Sequence, residues 1–600
     1  MSRTTPPNPA QTLYRQRLAA ARAATDRMQR RERHIGTLRL YVFVIGIALA
    51  WAAFDKNALP RTIVVLPLGA FAALLVHHGR VIGERQRAQR LVALYSHGIA
   101  RIEGTWSTLG ERGQRFADAA HAYTSDMDIF GQGSLFQLLC TARSAAGLAT
   151  LADWLSGPAD PAEIGERQRS VEELRPDVDR RERLALVGDT NASDFDPDHL
   201  ISWSERPTSA GLATMRVVAA ALAATTIATF FLQGLGAINP EIFLGALAVQ
   251  GAFGLRRRAA NSDVVLSLEL AAAELASLAH LLREIEDGEF RSTKLVRLRQ
   301  SLAADDGSAS ARIRQLHRLI QLLDARRNMI FAPLSIFFLW TSQTCMAIEA
   351  WRTHNGPELP QWLRAVGDYE SLCALSSFAY ERANATYPEV IDGSPQFEAR
   401  GLRHPLMTEE QCIANDVSLS DENALLLISG SNMSGKSTLL RTIGTNAVLA
   451  QMGAPVCGVS LRMSSLQVGT SMRTQDSLLD GTSAFYAEIT RLKQIVDMAG
   501  GQPALLFMLD EVLHGTNSHD RRLGAEAVVE TLLERGAIGA VTTHDLSLAE
   551  IAEHLAPRAR NVHFADRLVD DEMVFDYTMH DGPVQGSNAL GLMRAIGLDV

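Results

Sequence analysis

Apolar runs and amphipathic stretches alternate along this chain in a way that divides it before any motif is considered. Leu38 to Phe54 carries one charge, at its start, and Thr62 to His77 carries none. Each is close to the shortest apolar stretch that spans a bilayer. Only seven residues, DKNALPR, separate them, which predicts a hairpin. Val217 to Leu235 and Ile242 to Leu255 repeat the arrangement around a break containing Pro240. Arginines flank both pairs on the outside (Arg27, Arg30, Arg31 and Arg33; Arg80, Arg85, Arg87 and Arg90; Arg216; Arg256, Arg257 and Arg258). By the positive-inside rule all four outer ends are cytoplasmic. A fifth run, Met329 to Trp340, turns polar from Thr341 and is expected to be a core or interfacial helix.

Gly133 to Val187 and Ser262 to Asn328 carry helical, amphipathic periodicity, as in VVLSLELAAAELASLAHLLREIE. From Ala424 the texture changes to short apolar runs (LLLIS, ALLFML, AIGAVTT) alternating with helical stretches, the pattern of a parallel α/β sheet. The expected organisation is a basic segment 1–37, a transmembrane hairpin 38–77, a helical region 78–209, a second transmembrane hairpin 217–255, a helical lever and core region 256–391, and an α/β domain 392–600. A multi-pass protein of the cell (inner) membrane follows, with its C-terminal domain in the cytoplasm. Six hundred residues also exceed a single hydrophobic core.

Composition narrows the chemistry. The net charge of −9 provides no whole-chain basic footprint for nucleic acid. Five widely spaced cysteines form no CxxC, so neither a zinc site nor a disulfide framework is indicated.

The candidate chemistry lies in the last domain. Gly430, Ser431, Asn432, Met433, Ser434, Gly435, Lys436 and Ser437 match GxxxxGK[ST], between the apolar run ending at Ser429 and the helical stretch that opens at Thr438. In that context the glycines let backbone N–H groups close around phosphate, Lys436 reaches the β and γ phosphates of ATP, and Ser437 can ligate Mg2+. Asp510 and Glu511 end another apolar run. Asp510 suits the magnesium shell, and Glu511 suits orientation and deprotonation of the attacking water. His544 closes the strand-like Ala537 to Thr543 and can contact the γ phosphate.

ISGSNMSGKSTLLRTIG, LDEVLHGTNSHDRRLG and TTHD together resemble the ATPase domain of the DNA mismatch repair proteins called MutS. The family's phosphate loop is matched from Gly430 to Thr438, including Asn432 and Met433. Gly515, Thr516, Asn517, Ser518 and Asp520 are similar to a loop after its carboxylates. Gly481 to Phe485 resembles the segment whose serine reaches the partner subunit's nucleotide, which makes Ser483 the candidate acting in trans. GLRHPLM and IANDVSLS resemble the approach to the ATPase, and Phe130 to Leu174 resembles the start of the family's helical core, a likeness taken to cover 130–190. Because both lie in one soluble body in the family, an even number of spans is expected between them.

The resemblance implies an ABC-type α/β ATPase, ATP and Mg2+ as cofactors, a homodimer closing on nucleotide, and action on mismatched, branched or damaged DNA in repair. The departures imply a membrane-anchored form. No mismatch-reading domain is recognisable, Cys412 stands where the family places an aromatic against adenine, and Val600 comes soon after SNALGLMRAIGL, where the family is expected to continue into a helix-turn-helix. The alternative from the residues themselves is a membrane-coupled ATPase with a protein or membrane client and no DNA. A non-hydrolysing switch fits less well with Lys436, Asp510 and Glu511 all present.

Overall fold

The structure is a computed structural model, and it describes residues 8–56, 58–187, 197–207, 211–268, 272–303, 307–328, 331–431, 433–472, 484–513, 516–544, 546–569 and 572–584. The chain divides into two compact units. One comprises residues 1–110, 177–186 and 380–383; the other comprises the rest.

The first unit is a helical hairpin. Pro9–Phe54 is a single helix, opened by Asn8, whose side chain accepts from the Ala10 amide, so the basic segment and the first apolar run form one rod. Its partner is the helix Val65–Glu103, which ends at Gly104 in the left-handed conformation. Tyr14, Leu18, Tyr95 and Val178 form the core at the open end. There Arg17 pairs with Asp179 at 2.7 Å, and the Arg101 guanidinium grips the buried Glu381 carboxylate, with Nε to Oε2 at 2.7 Å. Toward the turn the pattern inverts, with Leu40, Phe43, Ile47, Leu66 and Leu68 all exposed.

The second unit begins with short helices, Leu135–Leu139, Ala145–Ser156 and Pro161–Leu174. The Ala145–Ser156 N-terminus is closed by Glu370, which accepts from the amides of Arg143 at 2.8 Å and Ser144 at 3.2 Å and from the Ser144 hydroxyl. A carboxylate suits the positive end of a helix. Next come Leu212–Gly234 and Pro240–Leu268, an antiparallel pair whose outward residues Val217, Phe231, Leu244 and Leu255 are exposed. Among the described residues three helical stretches are long and apolar enough to cross a membrane, Pro9–Phe54, Arg61–Glu103 and Leu212–Gly234. Pro240–Leu268 falls outside that set because Glu241 and Arg256 bracket its apolar part closely. The fifth run is a helix of six residues, Ala332–Phe337, broken from Trp340–Asn355 at Leu339, whose φ is 48°.

The α/β part holds two sheets. A four-stranded sheet, ordered β1-β5-β2-β3, is made of β1 (Glu389–Ile391), β2 (Gln396–Leu402), β3 (Asn415–Ser420) and β5 (Ser460–Ser464). The other is ordered β10-β9-β4-β8-β7-β6, with β4 (Leu425–Ser429), β6 (Leu466–Ser471), β7 (Ala504–Asp510), β8 (Ile538–Thr543), β9 (Ala559–Val569) and β10 (Glu572–Asp581). All its pairings are parallel except β9 with β10. Every residue of β4 and β8 is buried, which is why these strands read as unbroken apolar runs rather than alternating ones. Asp126 ties the helical part to this sheet by accepting from the Thr470 hydroxyl at 2.7 Å and the Met472 amide at 3.1 Å.

Glu274, on the helix Ala272–Glu286, is pushed up to about 7 by burial and by the neighbouring Glu370, with Arg115 opposing. A raised carboxylate contributes stability below its ordinary value that is lost as pH rises through about 7. Glu274→Gln is expected to raise the melting temperature above that pH and flatten its pH dependence, a gain on the order of 1–3 kcal/mol on the alkaline side. Parallel melting curves for both proteins across neutral pH contradict this.

Candidate nucleotide site

The order β4-β8-β7 decides where the site lies. The chain leaves β4 through Gly430 to Gly435 into the helix Lys436–Met452, and the strands on either side of β4, β8 and β9, come later in sequence. In open parallel sheets such a switch point leaves a crevice beyond the carboxyl ends of the strands. There the loop after β4 meets the end of β7, because Ser429 pairs with Thr543 and Asp510 pairs with Thr542 in the sheet. A cavity of about 670 Å³ results, lined among others by Gly435, Lys436, Ser437, Thr438, Asp510 and Glu511.

The loop needs its glycines. Gly430 has φ 151° and Gly435 has φ 105°, and a Cβ on Gly430 would stand 2.9 Å from the Ser434 hydroxyl. Met433, at φ 69°, adopts the left-handed conformation without being glycine, and its side chain is exposed. Lys436 is buried and folds back so that Nζ donates to the carbonyls of Gly430 at 2.8 Å and Ser431 at 2.9 Å. Burial pushes this amine below the usual lysine range, while the Glu511 and Asp510 carboxylates oppose that shift. The hydroxyls of Ser431 and Ser434 are buried without a protein partner. Such a loop presents a cation, hydroxyls and a helix N-terminus to one small volume, which is a cradle for phosphate.

The carboxylate side is held by Thr542, whose hydroxyl donates to Asp510 Oδ1 and accepts from the Glu511 amide at 3.1 Å. Glu511 sits at φ 50° and Leu513 at φ 57°, a strained turn for residues with side chains. Glu488, buried on the helix Ala484–Met498, accepts from the Leu513 amide and pins that turn. His544 Nδ1 lies 3.4 Å from Glu511 Oε1. The hydroxyl of Ser437 and the Asp510 carboxylate border the same cavity, a hard oxygen donor set of the kind Mg2+ takes.

The structure therefore brings Lys436, Ser437, Thr438, Asp510 and Glu511 around one cavity and places His544 against Glu511. Asn432 and Ser483 lie outside the described residues, as does Gly515. Asn517 caps the helix Ser518–Glu534, accepting from the Asp520 amide at 2.9 Å. Cys412 does border the cavity, as do Ile413 and Tyr577. Sequence reasoning missed Thr542 and Tyr577. Thr542 stood inside the TTHD string, where its adjacency to Asp510 across the sheet was invisible. Tyr577 sits at φ 53° in an irregularity of the β9–β10 pairing, with its backbone carbonyl held by Asn415 Nδ2 at 3.0 Å. No spacing rule points to it.

A mostly parallel sheet with a glycine-rich loop and two carboxylates at its carboxyl edge defines an α/β fold with a candidate phosphate site. Residues 426–599 match the family model described as MutS domain V. Over 232 residues the chain is 35% identical to "DNA mismatch repair protein MutS 2" of Halobacterium salinarum, covering 38% of this chain and 26% of that protein. It is 34% identical over 239 residues to "DNA mismatch repair protein MutS" of Natronomonas pharaonis (39% and 27%), and 28% identical over 234 residues to that of Thermotoga maritima (38% and 29%). The C-terminal region is thus similar to MutS domain V, and the similarity spans about a quarter of the length of these relatives.

Thr542→Val keeps the shape of this buried side chain and deletes the hydroxyl between Asp510 and the Glu511 amide. A loss of about 1–3 kcal/mol of stability is expected, read from denaturant unfolding, because two polar partners are left unanswered. Unchanged unfolding would show that the bridge holds nothing.

Proposed function

We propose that this protein is a MutS-type ATPase, anchored by its apolar helices in the cell membrane with the ATPase domain in the cytoplasm, that uses nucleotide-driven closure of a homodimer to act on mismatched, branched or damaged DNA. The observation that carries the ATPase reading is the convergence of Lys436, Ser437, Asp510 and Glu511 on one cavity, in a region matching MutS domain V. The DNA part comes from the relatives' names. The membrane part comes from three long apolar helical stretches whose outward side chains are exposed.

In this reading Gly430 to Thr438 wrap the phosphates of ATP with backbone N–H groups, and Lys436 exchanges the carbonyls of Gly430 and Ser431 for phosphate oxygens. Ser437 and Asp510 would hold Mg2+, which supplies charge neutralisation at the β and γ phosphates when bound. Glu511 orients the attacking water and accepts its proton. His544, beside Glu511, is placed to meet the γ phosphate, and Ser483 of each protomer completes the partner's site. Closure then pulls on the helical part through Asp126 and the end of β6.

Lys436→Ala is expected to abolish nucleotide binding. Glu511→Gln should retain ATP and accumulate a dimer while turnover falls by about 100-fold or more. Equal turnover in the wild type and the Glu511 variant removes Glu511 from the role of base. For the DNA reading, turnover of the detergent-purified protein is measured with linear, mismatched and branched duplexes at low and near-physiological salt. Stimulation that depends on DNA shape and survives the higher salt is expected, since nonspecific phosphate contacts weaken steeply with salt. Indifference to every DNA points instead to a protein or membrane client.

A further inference from the structure

A second cavity, of about 820 Å³, lies in the second unit between the helix Pro240–Leu268 and the broken segment around Leu339. Its size is within the range of sites for small organic ligands. Along the helix its wall runs from the apolar Leu247, Gly251 and Leu255 to Arg258 and Asn261 and then to Val265 and Leu266, and Arg326 and Ile336 join it from the later segments. Among the described residues no carboxylate lines it and neither arginine has an acidic partner. The wall is held in place from within: Gln250, 1% exposed, donates its Nε2 to the carbonyls of Ile336 at 2.7 Å and Phe337 at 3.1 Å, where the short helix breaks off. Asn261, 7% exposed, donates its Nδ2 to the Ser342 hydroxyl at 2.9 Å, and its Oδ1 is buried with no partner. A buried acceptor left open beside two unpaired guanidiniums asks for a ligand that is both an anion and a hydrogen-bond donor.

We propose that this cavity binds an anionic phospholipid with a hydroxylated headgroup. Its phosphate lies between Arg258 and Arg326, a headgroup hydroxyl donates to Asn261 Oδ1, and one acyl chain runs along Leu247, Gly251 and Leu255. The inference rests on the reading of the apolar helices as membrane-inserted, and the placement agrees with it. Arg258 lies eight residues beyond Gln250 on one helix, about 12 Å along the axis, so the charged stretch sits toward the basic, cytoplasmic flank and the apolar stretch from Leu247 to Leu255 toward the hydrocarbon. The apolar wall is open on its outer side, where Leu255 is 70% and Ile336 64% exposed. Basic pockets of this kind at the cytoplasmic ends of membrane helices take anionic headgroups.

The test is native mass spectrometry of the full-length protein in mild detergent, titrated with phosphatidylglycerol or phosphatidylcholine, with and without inorganic phosphate. The wild type is expected to retain one phosphatidylglycerol in preference to phosphatidylcholine. Replacing both arginines (Arg258→Ala with Arg326→Ala) should weaken retention roughly 30-fold. Gly251→Leu should abolish it, since a Cβ there meets nothing within 4 Å and the larger side chain fills the acyl channel without a clash at its base. Undiminished nucleotide binding shows that each variant is folded. Alkaline carbonate extraction of cell membranes tests the anchoring separately. Extraction-resistant protein that holds both lipids equally, or holds phosphatidylglycerol undiminished in the variants, overturns the site and leaves the anchoring standing. Displacement by inorganic phosphate with no effect of Gly251→Leu makes the cavity a plain anion site and also overturns the proposal. Release of the wild type by carbonate removes the anchoring, and the lipid site with it.

Discussion

The side-by-side burial of β4, β8 and β7 is the constraint on which the candidate site depends. Each strand is apolar almost throughout and covered on both faces, the pattern of strands paired in parallel and flanked by helices, and β4, β8 and β7 do pair in parallel. Parallel strands deliver their carboxyl ends to one edge. The loop after β4 and the acidic end of β7 therefore share that edge whatever their separation in sequence, with β8 and its Thr542 between them. The strain at Glu511 and Leu513 follows, because the chain must turn sharply off β7 to leave the crevice open. Glu488 and Thr542 hold that turn from opposite sides through the amides of Leu513 and Glu511.

What could be read from the chain beforehand was whatever depends on short-range pattern. β4 was legible as Leu425 to Ser429, and β7 and β8 to within a residue at one end, because fully buried strands leave uninterrupted apolar runs. The glycine-rich loop and the two carboxylates were legible as residue types at fixed offsets, and the structure brings them to one cavity. Thr542 and Tyr577 were not, since their place in the site comes from sheet register and from an irregular hairpin, and neither leaves a mark on local sequence. Glu370 was equally silent. Nothing around it announces that its carboxylate will cap a helix some 220 residues earlier in the chain.

The helical part shows a different limit. Periodicity found its helices but not their continuity: the basic N-terminal segment is one rod with the first apolar run, because no proline interrupts Gln11 to Phe54 and its two glycines, Gly36 and Gly46, cost only about 1 kcal/mol each. The fifth run fails in the opposite sense. Its composition is helical throughout, yet the chain breaks at Leu339, and the break is supported by tertiary contact: Gln250 donates to the Phe337 carbonyl and to the Ile336 carbonyl, which also accepts from the Leu339 amide.

That last pairing bears on how the proposed anchoring fits a chain with so many exposed apolar side chains. Water is a poor solvent for the outward rows of Val217, Phe231, Leu244 and Leu255, each costing on the order of 1.5–3 kcal/mol relative to burial. Hydrocarbon removes that cost but raises another, since every backbone carbonyl facing lipid without a donor costs several kcal/mol. A broken helix at membrane depth is therefore tolerable only where protein answers its open carbonyls. Gln250, a polar residue in the middle of an otherwise apolar helix face, is what the break at Leu339 demands, and the break in turn accounts for a buried glutamine that hydropathy alone leaves without a reason.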